Sequence, residues 1–162
     1  MRWKRREPFK GTRRIQPRFG VGPVRFGMDE AALVKVCGEP TYRTRLYGGR
    51  NFLWFRSGIT VEVTPSFGVV VIDVLEHATL GAELWGVEMI GLPLDQLRGL
   101  LNSHGFPAVV HDGWPCVEYG EAVVSTDSLM VEFDITDFMV ESISLADPDR
   151  SRESDPLLPA AN

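Results

Sequence analysis

The chain has 162 residues, of which 44% are hydrophobic and 24% charged, and this composition is that of a globular protein and not of a disordered one. It contains no apolar run near the roughly 18 residues that a membrane-spanning helix requires, so an integral membrane protein of that kind is excluded. The net charge of −5 conceals an asymmetry: residues 1–18 carry eight Lys and Arg against one Glu, whereas residues 19–162 carry nine against 21 Asp and Glu.

Residues 1–18 are predicted to form a basic N-terminal arm, either a solvated terminus or a tether to nucleic acid or another acidic surface. The arm has no apolar segment behind its charges, so we expect no secretory signal and a cytoplasmic location. The two cysteines, Cys37 and Cys116, lie in unrelated sequence contexts. In a reducing compartment we expect two free thiols and not a disulfide.

The stretch "GPVRFGMDEAALVKVCGEP" predicts a short helix over 29–37 at the start of a first unit, residues 19–80. Asp29 suits the positive end of the helix dipole, Gly38 suits a left-handed C-terminal position, and Pro40 prevents continuation. The same acidic start disfavours a phosphate site at this helix end. An apolar stripe at i, i+3, i+4 spacing marks the buried side of the helix: Leu33, Val36 and Cys37.

Behind the helix the pattern changes to a period of two, which is typical of strands. In Ser57–Leu75 the apolar residues Val61 and Val63 alternate with Thr60 and Glu62. About three antiparallel strands are expected, with one apolar side against the helix and one side open to solvent.

The same order of features returns in a second unit, residues 81–146. Shifting the sequence by 64 places Gly27 on Gly91 and Leu33 on Leu97, and shifting it by 70 places "VEV" at 61–63 on "VEF" at 131–133. Pro93 is expected in the first turn of the second helix. The fold prediction is therefore α+β: a tandem repeat of two helix-plus-antiparallel-sheet units with the helices packed on one face of the sheet. Residues 147–162 are expected to form a flexible tail.

The helix unit, with Gly27, Met28, Leu33 and Gly38, resembles that of small bacterial proteins built from helix-plus-sheet repeats. These include the SmpA-type outer-membrane assembly lipoproteins, with one copy, and the β-lactamase inhibitory protein family, with two. The resemblance covers roughly residues 19–146. It implies a concave sheet that grips a protein partner through exposed aromatic residues and a few charges. Neither the β-lactamase target nor the lipoprotein role is carried over, because the chain has no signal, no cysteine pair in each unit and no lipobox cysteine.

Several chemistry-bearing residues cluster between positions 104 and 116, and the group comprises His104, His111, Asp112 and Cys116. Their spacing matches no familiar zinc pattern, so no metal and no cofactor are predicted. Cys37 lies on the apolar stripe, where packing is the expected role and not nucleophilic catalysis. The protein is therefore predicted not to be an enzyme.

Aromatic residues concentrate in the strands and in the loops between the units. They can all be buried packing, or some can be anchors of a protein interface, where Trp, Tyr and Arg are enriched. Neighbouring acids would then form a charged rim that speeds encounter with a basic partner. The candidate partner-binding residues on the interface hypothesis are Tyr47, Trp54, Arg56, Asp112, Trp114, Glu118, Tyr119 and Glu121.

Three functions are compatible with these features. The first is a non-enzymatic binding protein, such as an immunity protein or inhibitor that covers a basic toxin or enzyme. The second is a structural or adaptor component of a larger assembly that docks through the basic arm. Nucleic acid is not expected as a partner except through contact with that arm. The third is a small-molecule binder or hydrolase with a cleft between the lobes. The sequence favours the first function, but it identifies neither the partner nor the oligomeric state.

Overall fold

The computed structural model describes residues 12–111, 120–126 and 128–147. Two helices and thirteen strands lie in these ranges, together with a short 3₁₀ turn at Tyr47–Gly49. The elements are β1 Arg13–Gln16, β2 Gly20–Val21, β3 Val24–Arg25, α1 Glu30–Cys37, β4 Tyr42–Arg45, β5 Asn51–Trp54, β6 Ile59–Thr64, β7 Gly68–Val74, β8 Ala82–Leu84, β9 Val87–Glu88, α2 Leu94–Ser103, β10 Val109–His111, β11 Ala122–Thr126, β12 Val131–Thr136 and β13 Met139–Ala146.

The strands form two sheets, which confirms the α+β prediction. The larger sheet has eight antiparallel strands in the order β10-β11-β12-β13-β7-β6-β5-β4. The smaller has five in the order β3-β2-β1-β8-β9, and its β1 and β8 run parallel. The large sheet therefore consists of two four-stranded halves, β4–β7 and β10–β13, that meet where β7 pairs with β13.

Helix α1 begins and ends where the sequence predicts. The Asp29 carboxylate caps it by accepting a hydrogen bond from the Ala32 N–H at 2.8 Å, and Gly38 follows its last turn with a φ of 78°. From the sequence, Pro93 is expected in the first turn of α2. It is instead the N-cap residue, and the first turn starts at Leu94. Its extended ψ of 144° suits a position that is not yet helical.

Each helix is preceded by a loop that joins the large sheet through two reciprocal hydrogen bonds. In the first half, the Gly27 N–H donates to the Val69 carbonyl at 3.0 Å, and the Val69 N–H donates to the Met28 carbonyl at 2.9 Å. The approach is close, because a Cβ on Gly68 would lie 2.5 Å from the Gly27 oxygen. The Gly-Met pair therefore serves to anchor the helix start to β7.

The second half has the same arrangement. The Gly91 N–H donates to the Val140 carbonyl at 2.8 Å, and the Val140 N–H donates to the Leu92 carbonyl at 2.9 Å. The two hairpins that receive these loops also share an irregularity, a bulge between Glu62 and Val63 in one and between Asp134 and Ile135 in the other.

One hydrophobic cluster joins both helices and both sheets. Leu33 and Cys37 of α1 and Leu97 and Leu101 of α2 are buried in it. The inward residues of the central strands, such as Phe133, complete it. The predicted alternation is confirmed at Val61, Glu62 and Val63, because the two valines are buried and Glu62 faces outward. Thr60 departs from the prediction, because it is buried although it lies on the same side of the strand as Glu62.

Arg13 is fully buried although it lies within the predicted basic arm. Its guanidinium donates to the Ser57 carbonyl at 3.3 Å and the Leu80 carbonyl at 2.8 Å, and to those of Leu75 and Gly81 as well. Burial lowers its pKa, an effect that the charge of Glu88 opposes. Residues 13–16 of the predicted arm are therefore part of a sheet, and residues 1–11 lie outside the described residues.

The structure has more strands than the three per unit that periodicity indicates. Strands β4 and β10 are the outer edges of the large sheet and have no alternation of buried and exposed residues. Several strands of the small sheet have only two residues, too few to show any period. Both helices of the described segments are short, and neither has the length and apolarity needed to cross a bilayer.

Candidate functional site

The eight-stranded sheet has one side in the hydrophobic core and one side turned away from it. We call the second side the outer face. Strand register and alternation place the following residues on it: Tyr42, Thr44, Phe52, Trp54, Thr60, Glu62, Val71, Asp73, Ser142, Ser144, Ala146, Glu132, Asp134, Val123, Ser125, Val109 and His111.

One row of directly paired residues crosses the outer face from edge to edge. We call it the central row, and in spatial order it consists of Tyr42, Trp54, Thr60, Asp73, Ser144, Glu132, Ser125 and Val109. Seven gaps of about 4.8 Å make it about 34 Å long. Its members are neighbours in pairs, with Cβ atoms about 5 Å apart.

The β4 end of the central row is aromatic and accessible. Tyr42 is 57% exposed and Trp54, its cross-strand partner, is 41% exposed. Thr41 fixes the backbone here, because its N–H and its hydroxyl both donate to the Trp54 carbonyl. Two large rings are therefore held side by side on a hydrogen-bonded hairpin.

The middle of the outer face is acidic. The Thr60 hydroxyl donates to the Asp73 carboxylate at 3.3 Å, and the Ser142 hydroxyl donates to the Asp134 carboxylate at 2.8 Å. Burial raises the pKa of Asp73, the hydroxyls of Ser144 and Thr60 oppose that rise, and the charge of Asp134 adds to it. Strands β6, β7, β11, β12 and β13 contain no Lys or Arg. The central strands therefore present carboxylates without cations of their own.

At the β10 edge, His111 and Ser125 are hydrogen-bonded, with 2.7 Å between Nε2 and Oγ. A serine nucleophile needs free donors nearby to stabilise an oxyanion. Strand β11 pairs with β10 on one side and β12 on the other, so its backbone N–H groups take part in the two ladders. The Ser–His pair is therefore better described as a cross-strand contact than as a catalytic dyad.

The structure places the sequence-predicted residues of the first half at different points. Trp54 is on the outer face. Tyr47, 75% exposed, lies in the 3₁₀ turn before β5, and the exposed Arg56 lies in the turn after it. Tyr47 and Arg56 are thus at opposite ends of β5, and only Trp54 joins the central row.

Of the candidates in the second half, Glu121 is exposed and directly precedes β11. The other four, Asp112, Trp114, Glu118 and Tyr119, lie outside the described residues.

Sequence reasoning did not single out Tyr42, Asp73, Glu132 and Asp134 as site residues. The alternation that turns Glu132 and Asp134 outward was visible in the sequence. Tyr42 and Asp73 join them only through the pairing of β4 with β5 and of β7 with β13. Register across strands is set by tertiary pairing, so no local pattern could show that these residues share one row.

The residues considered for other chemistry have packing roles where they are described. Burial raises the pKa of the free Cys37 thiol to about 11, the opposite of what a nucleophile requires. The imidazole of His104 stacks on Trp85 with ring centres 3.9 Å apart, whereas that of His111 contacts the Ser125 hydroxyl, so the two histidines have different partners. Asp112 and Cys116 lie outside the described residues.

No protein-family model matches the chain, and no curated protein or solved structure matches it.

Proposed function

We propose that this chain is a non-enzymatic protein-binding module, of the immunity-protein or inhibitor kind, whose outer face takes a basic protein partner. The central row carries the proposal, because it leads without a break from two exposed aromatic rings to the carboxylates of Asp73 and Glu132, and neither carboxylate forms an ion pair with a lysine or arginine of the described residues. Aromatic anchors beside desolvated charges are typical of interface hot spots.

Binding on such a surface combines two physical effects. Tyr and Trp bury large apolar areas while losing few rotatable bonds, so they supply affinity. The acidic middle supplies long-range attraction, which raises the association rate of a basic partner and depends on salt. Both groups lie on a continuous hydrogen-bonded sheet, since every strand between β10 and β4 is paired on two sides.

We also propose that the fold is a tandem duplication with both helices on the inner side of the sheet. Three features support it: the reciprocal hydrogen bonds of the two helix-start loops, the matching bulges, and the pairing of Asp73 with Ser144. Residues 73 and 144 are 71 positions apart, the same offset that relates Val69 to Val140. A residue that pairs with its own counterpart marks a local two-fold axis at the centre of the sheet.

The proposed duplication implies a different alignment of the two repeats from the one that the sequence pattern indicates. The bulges superimpose at an offset of 72, which brings Val61 onto Phe133 and not onto Val131. The two alignments differ by two residues. Because strand side chains alternate with a period of two, both alignments put each residue on the same side of the sheet, and the sequence pattern cannot distinguish them.

The second candidate is an adaptor that docks through the basic arm. It is weakened because Arg13 and Ile15 of that arm are buried and are not available to a partner. The third, a hydrolase with an interlobe cleft, is weakened by the paired backbone around Ser125. The cytoplasmic location stays a prediction.

Affinity purification from the native host tests the proposed function. The wild-type chain should recover a stoichiometric basic protein, and a double variant, Tyr42→Ala with Trp54→Ala, should lose it. Phe19→Ala is the matched control, because Phe19 is 68% exposed but lies beside the small sheet. Recovery of the same protein by the double variant would refute the assignment to the outer face, and recovery of no basic protein would refute the function.

A further inference from the structure

A depression of about 290 Å³ lies on the outer face where the two halves of the large sheet meet. Its apolar wall is made by Val71 of β7, Ala146 of β13 and Met130, which precedes β12. This volume is just below the usual range of about 300–1,000 Å³ for small-molecule pockets, so the space suits one side chain better than a larger ligand.

The polar wall of the depression has hydroxyls and one carboxylate. Ser125 and Ser144 contribute the hydroxyls, and Glu132 contributes the carboxylate. Ser125 is buried and Glu132 is exposed, so the carboxylate is at the accessible part of the site. Together the two walls match a side chain that has an aliphatic stem and a cationic head.

Two carboxylates flank the polar wall. Ser144 on β13 pairs with Asp73 on one side and with Glu132 on the other. A cation that reaches Ser144 would therefore have a carboxylate on each neighbouring strand, within about 5 Å of Cβ separation. Asp73 is half-buried, and this burial raises its pKa because its charge is poorly solvated. Such a charge interacts strongly with an incoming cation.

We propose that this depression takes one lysine or arginine side chain of the protein partner. The proposal rests on the proposed function and adds the chemistry of the contact. Charge complementarity selects the occupant, because the four strands that line the depression, β7, β11, β12 and β13, contain Asp73, Glu132, Asp134 and Glu141 and no Lys or Arg. A neutral aliphatic side chain would fill the apolar wall but would leave the carboxylates desolvated without a partner.

Titration of the full chain with capped amino acids, followed by amide chemical shifts, tests the proposal directly. The probes are Nα-acetyl-arginine amide and Nα-acetyl-lysine amide, and the neutral controls are the citrulline and norleucine derivatives. The cationic probes should shift the amides of Val71, Ser144 and Ala146 in a saturable way, and should bind about tenfold more tightly than the controls. Equal binding of charged and neutral probes would overturn the proposal.

A pair of charge-removing variants locates the site. Glu132→Gln should weaken the cationic probes about tenfold, since a charge-assisted hydrogen bond is lost. Glu141→Gln is the control, because Glu141 is also an exposed glutamate of this half but accepts its hydrogen bond from Thr136 and does not line the depression. Equal losses in both variants would show general electrostatic attraction and would overturn the assignment.

The same variants separate this proposal from the function on which it rests. If Glu132→Gln still retains the partner at full affinity whereas the Tyr42 and Trp54 double variant loses it, the outer face is the interface but the depression is not the cation site. If both variants retain the partner, the outer face itself is not the interface.

Discussion

The two halves of the large sheet share a framework but differ on the side that faces solvent. Each half has four antiparallel strands with a bulge in its third strand, and each receives a helix-start loop through the same two hydrogen bonds. Outward, β4 and β5 present Tyr42 and Trp54, whereas β12 presents Glu132 and Asp134. The outer face therefore carries carboxylates in both halves, Glu62 and Asp73 in the first and Glu132 and Asp134 in the second, whereas the exposed Tyr42 and Trp54 belong to the first half alone.

The contrast between inward and outward positions indicates where functional information lies in this fold. Buried positions must fill a shared core at crystal-like density, so matching positions keep similar apolar residues, as in Leu33 and Leu97. Outward positions carry no such requirement. A difference between halves at outward positions is therefore a better sign of a binding surface than any single exposed residue.

The largest expected loss in the free energy of unfolding comes from replacing Arg13, which connects the two halves. Its guanidinium binds carbonyls at the end of the first half and in the segment that leads to the second. Arg13→Met would leave these carbonyls buried and unpaired, and we expect a loss of about 3–5 kcal/mol in the free energy of unfolding. Urea denaturation measures it.

The matched control for that change is Arg14→Met. Arg14 has a 64% exposed side chain, and its ion pair with Glu83 has an N–O distance of 3.7 Å. We expect a change of at most about 0.5 kcal/mol. Similar effects at both positions would contradict the role assigned to Arg13.

Truncation of the matched core leucines tests whether the inner sides are equivalent. Leu33→Ala in α1 and Leu97→Ala in α2 remove fully buried side chains at an offset of 64. Each should cost about 2–5 kcal/mol, and both should unfold in one cooperative transition because they belong to one cluster. Two separate transitions in either variant would show that the halves are independent domains.

The smallest change in stability is expected from replacing Asp73, which pairs with Ser144 at the centre of the sheet. Burial raises the pKa of Asp73, so the folded state binds its proton more tightly than the unfolded chain does. Stability therefore falls as the pH rises from the unfolded pKa to the folded one, and at neutral pH the charge is destabilising. Asp73→Asn should raise the Tm by a few degrees at pH 7, measured by thermal unfolding.

The gain should disappear below the ordinary Asp pKa of about 3.9, where the wild-type carboxyl is protonated in both states. Glu141→Gln is the control, since Glu141 is exposed, accepts a hydrogen bond from Thr136 and is not among the charges that shift the pKa of Asp73. A lower Tm for Asp73→Asn at pH 7 would mean that the carboxylate is a net stabiliser of the sheet.

Local sequence patterns were sufficient for the helices and the inward strand residues. Asp29 and Gly38 determine the ends of α1 through their own backbone and side-chain chemistry, and the stripe of Leu33 and Cys37 determines which side is buried. Strand alternation likewise predicted that Glu62 faces outward. These properties depend on residues within a few positions of one another, and short-range periodicity records them.

The sequence by itself thus determined an α+β fold, the helix ends and the apolar sides of the strands. Only the tertiary structure decided that β7 pairs with β13, that Arg13 is buried between carbonyls, and that Tyr42, Asp73 and Glu132 share one row. The physical reason is that sheet register and the burial of a single charge depend on partners 12 to 75 residues away. Those partners act through hydrogen-bond ladders and packing, and neither can be predicted from the residues next to each position in the sequence.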